Sequence, residues 1–521
     1  MTLRLSTLAA LVVLMLATAF PAMALERVLR IDSGVLSGAA AGEGVSAWLG
    51  LPYAAAPVGD LRWRPPAPAM PWRGVRPASA FAPACMQKGV SMPGETPTTT
   101  SEDCLYLNVW APDRAKSAPV IVWIHGGGYS NGSTAMPLYA GDRLAKRGVV
   151  VVTVAYRLGP LGFLAHPELS KESPLASSGN YGLMDQIAAL AWVKRNIAAF
   201  GGDPGNVTIA GQSAGAMSVS MLIASPRARG LFHRAIGQSG GLFEPLQLAP
   251  KYQLAQAETD GLAYARSVGV DSLAALRALP AAALLEGQAG QVTHPVIEPA
   301  VLPRSPYDAY VRGEAAKVPI LVGDNAEEAR SLSDLAKVTA AGFAADLEKT
   351  FGALPPSLVT AYPFTTDTQA RQARGDLERD LRFGWDMWAW ARLQARAGEP
   401  AFLYRFSARP PFPAGSVRAG WGASHFAELW YMFDHLDQEP WAWTADDRRL
   451  ADAMAGYWVN FARTGNPNGP GLPVWPAVEG ETGPLIDLGD RIAPGSVDGM
   501  GALKVFDATY DAVRSRPFGT P

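Results

Sequence analysis

The segment NVTIAGQSAGAMSVSMLIA, Asn206 to Ala224, constrains this chain more than any other. A short β-branched run, Val207 to Ala210, meets an apolar helical run, Ala214 to Ala224, with three residues between them. Small residues at 211, 214 and 215 let that turn be tight. They also bring the helix N-terminus close under Ser213, where its N–H groups face any negative charge that develops. The pattern G-x-S-x-G recurs at Gly237 to Gly241, so a second serine competes. Ser239 follows a short run, Arg234 to Ile236, but leads into GGLFEPLQLAP, where two glycines and two prolines bar a helix. With 53 glycines in 521 residues, one accidental match is unsurprising. Ser213 is therefore the expected nucleophile, and Ser239 a sheet-end or supporting serine.

The flanking sequence has the rhythm of alternating strands and helices. Val120 to Ile124 is a continuous apolar run that ends in His125-Gly126-Gly127-Gly128, as a strand buried on both faces does. Val150 to Tyr156 is a second such run. Leu183 to Phe200 has apolar residues at helical spacing and is broken by GGDPGN. Strand, helix, strand, helix implies an α/β protein with a mostly parallel sheet covered on both faces. Hydrophobic residues make up 48% and charged residues 18%, enough apolar material for one large core. The net charge of −2, without a basic run, argues against a nucleic-acid partner.

The N-terminus carries Arg4, an apolar stretch from Leu8 to Phe20, and Ala22-Met23-Ala24. That is the layout of a secretory signal peptide over residues 1–24, with one catalytic domain over 25–521. The apolar stretch is shorter than the roughly 20 residues a membrane span needs. An exported protein, periplasmic or secreted and not stably inserted in a membrane, is expected. In an oxidising compartment the two cysteines, Cys85 and Cys104, are expected to pair.

A serine hydroxyl becomes a nucleophile when a base takes its proton and an anion orients that base. In α/β-hydrolases the order along the chain is serine, acid, histidine. Of six histidines, His425 fits best: it follows the strand-like AFLYRFS and the small-residue loop GWGAS and precedes an amphipathic run, FAELWYMF. His425 and Glu428 could also form a metal pair, but no third ligand stands at a recognisable spacing. The acid is expected after the strand Val318 to Val322, where Asp324, Glu327 and Glu328 all qualify and spacing does not choose among them. The loop His125 to Gly128 is of the type that supplies backbone N–H donors to an oxyanion.

These residues resemble the type-B carboxylesterase family, the group of bacterial para-nitrobenzyl esterases, animal carboxylesterases and cholinesterases. The resemblance runs from GLPYA (Gly50 to Ala54) through LRW (Leu61 to Trp63), SEDCLYLNVW (Ser101 to Trp110) and HGGGY. It continues through Asn180 to Ala216, GASHFAELWYMF and FARTGNPNGPGLPVWP. It implies an α/β-hydrolase fold with inserted loops and helices over the site, needing no metal or organic cofactor. It implies Ser213 as nucleophile, His425 as base, Glu328 as acid, and Gly127, Gly128 and Ala214 as oxyanion donors. It also implies a Cys85–Cys104 disulfide and two buried ion pairs, Arg62 with Glu102 and Arg157 with Asp185. The family usually has Glu where this chain has Gln212, and the loop from Met86 to Asp103 lacks the tryptophan that cholinesterases use for choline. A small neutral ester is thus the expected substrate. Tyr129, Leu242, Phe243, Phe383 and Trp421 are candidate pocket walls. Amides, carbamates or lactones could share the machinery, and non-catalytic adhesion relatives lack the triad that this chain retains.

Overall fold

Eleven strands hydrogen-bond into one sheet: β1 (Ala39–Ala40), β2 (Val45–Pro52), β3 (Tyr106–Pro112), β4 (Ala118–Ile124), β5 (Val150–Val154), β6 (Gly202–Gln212), β7 (Arg234–Gln238), β8 (Ile320–Asn325), β9 (Ala401–Phe406), β10 (Leu485–Leu488) and β11 (Ile492–Gly495). The computed structural model describes residues 27–90, 92, 99–288, 290, 292–480, 483–497 and 499–516, so the proposed signal peptide lies outside the described residues. The spatial order is β11-β10-β9-β8-β7-β6-β4-β5-β3-β2-β1. Neighbours from β10 to β5 are parallel. Antiparallel pairs close both ends.

The continuous apolar runs make sense in this setting. Along β4, Val120, Val122 and Ile124 enter one core, while Ile121 and Trp123 enter the other. Successive side chains on a strand point to opposite faces, so a strand covered on both sides must be apolar throughout. Helices α1 (Tyr181–Asn196), α2 (Ala214–Ala224) and α4 (Trp385–Arg396) contribute to the first core, and α5 (Ala445–Thr464) to the second. A capping box at Thr444 and Asp447 starts α5, and Gly465, at φ 81°, ends it.

Three local expectations shift. The helix expected over Leu183 to Phe200 begins at Tyr181, ends at Asn196, and tightens into a 3-10 turn, Ile197–Phe200, before Gly201 at φ 79°. The GGDPGN segment does not simply break the chain: Gly202 already pairs with Ala118, and β6 resumes after an irregularity at Val207. The run FAELWYMF, read as amphipathic, is helical only over Leu429–Met432, where every residue is buried. Cys85 and Cys104 form a disulfide, with Cα atoms 5.0 Å apart.

Candidate active site

Ser213 stands between β6 and α2 with φ 55° and ψ −127°, a conformation that costs energy for any residue bearing a Cβ. Close packing holds it there. A Cβ on Gly215 would meet the Ile124 carbonyl oxygen at 2.0 Å, and one on Gly240 would meet the Ser213 carbonyl oxygen at 2.3 Å. The Ser213 N–H donates to the Gln238 carbonyl at 2.8 Å. Ser239 shares a positive φ, 51°, but no helix follows it. Its side chain is fully buried, whereas Ser213 is partly exposed. Of the two serines, Ser213 is the accessible one.

The loop after β4 lies against this turn. A Cβ on Gly126 would sit 2.7 Å from the Gln212 carbonyl oxygen and 3.0 Å from Ser213 Cβ, so only glycine fits. Gly127 and Gly128 adopt φ 107° and 60°, which glycine reaches without strain. The Gly127 carbonyl accepts from the N–H groups of Ser130 and Asn131. Among the described residues, the N–H groups of Gly127, Gly128 and Ala214 have no protein acceptor. His125 turns away from the turn: its Nδ1 donates to the Gly126 carbonyl at 2.9 Å, and its ring stacks on Tyr156. Burial pushes this imidazole down to about 4, so it stays neutral.

The three candidate carboxylates, which spacing does not separate, separate in space. Glu328 places Oε2 2.6 Å from His425 Nδ1, and its Oε1 accepts the Asn325 N–H at 2.8 Å. Asp324 accepts from Arg405 at 3.1 Å, and burial raises its carboxyl to about 6 despite that guanidinium. Glu327 pairs with Arg330 and Arg409 and accepts the Ala423 N–H. With Nδ1–H donated to Glu328, His425 presents Nε2 as its acceptor nitrogen, with the Gln212 amide nitrogen 3.2 Å from it. Among the described residues no hydrogen bond joins the Ser213 hydroxyl to His425; such pairs are commonly loose until substrate closes the site.

Sequence reasoning missed the polar network behind His425. Glu428 accepts from Gln238 Nε2 at 3.1 Å and from Asn325 Nδ2 at 2.6 Å, and Trp458 Nε1 donates to Gln238 Oε1 at 3.0 Å. Burial and the Glu328 charge raise Glu428 to about 7. The spacing His425-x-x-Glu428 was visible, but both carboxylate oxygens serve amide donors. The expected ion pairs are present: Arg62 grips Glu102 through Nε and Nη2, and Arg157 grips Asp185 likewise.

Of the five candidate walls, Phe383 meets the site, stacking on His425. Phe243 is fully buried against Tyr310 and Trp390, Leu242 is buried, and Tyr129 packs on Phe163 beside the glycine loop. Trp421 lines a cavity of about 760 Å³ with Arg330, Ser331, Leu332 and Arg371, next to the loop that carries Glu328.

A mostly parallel sheet with a strained serine between strand and helix, and a buried histidine–glutamate pair whose imidazole reaches the residue before that serine, defines an α/β-hydrolase. Solved structures agree: a thermophilic para-nitrobenzyl esterase superposes with a TM-score of 0.81 at 32% identity, covering 92% of this chain and 100% of its own. The sequence profile described as "Carboxylesterase family" matches residues 26–497, and the chain belongs to that family. It is a carboxylic-ester hydrolase. The fumonisin B1 esterase of Sphingopyxis macrogoltabida is 38% identical, over 93% of this chain and 91% of that protein. The para-nitrobenzyl esterase of Bacillus subtilis (strain 168) is 35% identical, over 86% and 92%.

Proposed function

We propose that Ser213 attacks the acyl carbon of a small neutral carboxylic ester, with His425 as general base and Glu328 orienting it. As Ser213 Oγ bonds to the carbonyl carbon, His425 Nε2 takes the hydroxyl proton. The negative charge that moves to the carbonyl oxygen meets the N–H groups of Gly127, Gly128 and Ala214. His425 then protonates the departing alcohol. Water hydrolyses the acyl-enzyme by the same route, regenerating Ser213. The observation that carries this reading is the Glu328–His425 contact of 2.6 Å, held inside the protein at the end of β8.

Neutral esters are favoured because Gln212 supplies no negative charge beside the nucleophile and no tryptophan stands between the cysteines. A second reading narrows the substrate to one specialised ester, carbamate or lactone; the relative named for fumonisin B1 favours it. The Cys85–Cys104 disulfide and the N-terminal pattern support export with cleavage near Leu25.

The test is hydrolysis of p-nitrophenyl esters from acetyl to dodecanoyl by the mature protein and by Ser213→Ala. A rate that peaks at one chain length and falls at least ten-thousandfold in the variant is expected. Retained turnover in a folded Ser213→Ala protein would move the nucleophile elsewhere.

A further inference from the structure

Glu328 holds the His425 imidazole at its edge, and the structure covers both ring faces as well. The Phe383 ring lies 12° from parallel to it, with centroids 4.6 Å apart. The Gln212 amide nitrogen lies 3.2 Å from His425 Nε2 and 3.4 Å from Nδ1. A donor bonded in the ring plane approaches one nitrogen along its lone pair. An atom almost equidistant from both nitrogens, at these separations, stands over the ring instead. The phenyl ring fills one face, so the amide covers the other.

We propose that Phe383 and Gln212 are positioning residues that clamp the imidazole from its two faces and bias its protonation in opposite senses. This rests on His425 being the base. A phenyl face presents its negative quadrupole and favours the imidazolium. An amide N–H over the other face presents its positive end and favours the neutral ring.

Both groups are fixed from outside the site. Gln212 is the fully buried last residue of β6, directly before the strained Ser213. Phe383 belongs to a π-helical turn, Asp380–Gly384, set between α3 (Asp367–Arg379) and α4. Such turns inside helices re-aim side chains and recur at functional sites. Here the Asp380 carboxylate accepts from Arg379 and from the Tyr362 hydroxyl, and a Cβ on Gly384 would meet Asp380 Oδ1 at 2.5 Å. The wider turn thus needs both Asp380 and Gly384.

The charged and titratable groups facing His425 from its other neighbours are Glu328 at Nδ1 and Glu428 on the same loop. Asp324, with Arg405, lies beyond Glu328, and Tyr404 borders both glutamates. The Phe426 ring packs edge-on at 4.3 Å. All of these are unchanged in variants at 212 and 383.

The experiment is the pH dependence of kcat/KM for an uncharged ester, measured for wild type, Gln212→Glu, Phe383→Leu, Phe383→Tyr and His425→Gln. Gln212→Glu is expected to move the acidic limb up by about one pH unit or more, as an opposite charge at this range does. Phe383→Leu is expected to move it down by about half a unit and to lower kcat about tenfold with KM little changed. Phe383→Tyr, which restores the aromatic face, should recover both. Acidic limbs that coincide with wild type in Gln212→Glu and Phe383→Leu, or that move in the opposite directions, overturn the clamp. His425→Gln separates the two levels: an active variant removes the base itself, whereas an inactive one, together with unmoved limbs in Gln212→Glu and Phe383→Leu, sinks only the clamp. Should Phe383→Leu fail to fold, the near-isosteric Gln212→Glu carries the test alone.

Discussion

At the scale of single residues, the network around Glu428 has a measurable consequence for stability. Its carboxyl is raised from 4.5 to about 7, by burial and by the Glu328 charge. Between those values the folded protein holds a proton that the unfolded chain has released, so stability falls as pH rises through that window. The contribution is fully present below 4.5 and lost above 7. The difference in melting temperature between wild type and Glu428→Gln should therefore shrink from pH 4.5 to 7 and then level off. A difference that stays constant across that range would contradict the assignment. Glu428 also shows where residue-level reading stops. His425-x-x-Glu428 is plain in the sequence, but the partners that give Glu428 its role, Gln238 and Asn325, lie 190 and 103 positions away. The proposed triad acid is hidden in the same way. Asp324, Glu327 and Glu328 fall within five positions, and what separates them is Arg405, Arg409 and His425, contributed by a distant part of the chain.

At the scale of elements, the strands and the elbow were readable because their causes are local. A strand buried on both faces must be apolar or have its polar groups paired: β4 is apolar throughout, and β5 departs only at Thr153, whose hydroxyl accepts from Asn108 Nδ2. A sharp turn must be built of small residues, and Gly211, Ala214 and Gly215 are. The π-helical turn at Asp380–Gly384 left no comparable trace, since it depends on Tyr362, 18 positions back, closing on Asp380. Leu242 and Phe243, after β7, were open to two readings for a related reason: an apolar side chain one turn beyond a site can serve the pocket or the core, and Phe243 serves the core. The loop after β4 supplies the prediction at this scale. Gly126→Ala would drive a Cβ to within 2.7 Å of the Gln212 backbone carbonyl and displace the glycine run from Ser213. Loss of an oxyanion donor typically costs about a hundredfold to a thousandfold in kcat. We expect at least that loss, with circular dichroism unchanged; a fully active variant would show that the loop does not bear on the reaction.

At the scale of the whole molecule, one sheet carries every proposed participant at the ends of its parallel strands. The glycine loop follows β4, Ser213 follows β6, Glu328 follows β8 and His425 follows β9. The Cys85–Cys104 disulfide closes a loop at the same face, beside the Arg62–Glu102 pair and Arg157. Replacing both cysteines by serine should lower stability by about 3 kcal/mol on the chain-entropy account, seen as an earlier midpoint in chemical denaturation. An unchanged midpoint would mean that the crosslink does not stabilise the fold.

The central claim is that the strained serine between β6 and α2 forms the covalent intermediate. Its most direct test is reaction of the mature protein with a fluorophosphonate ester, followed by mass measurement of the intact protein and of its peptides. One adduct, on the peptide holding Ser213, abolished by His425→Gln while Ser239→Ala reacts normally, is the predicted result. An adduct on Ser239, or labelling of Ser213 that is indifferent to the loss of His425, would contradict it.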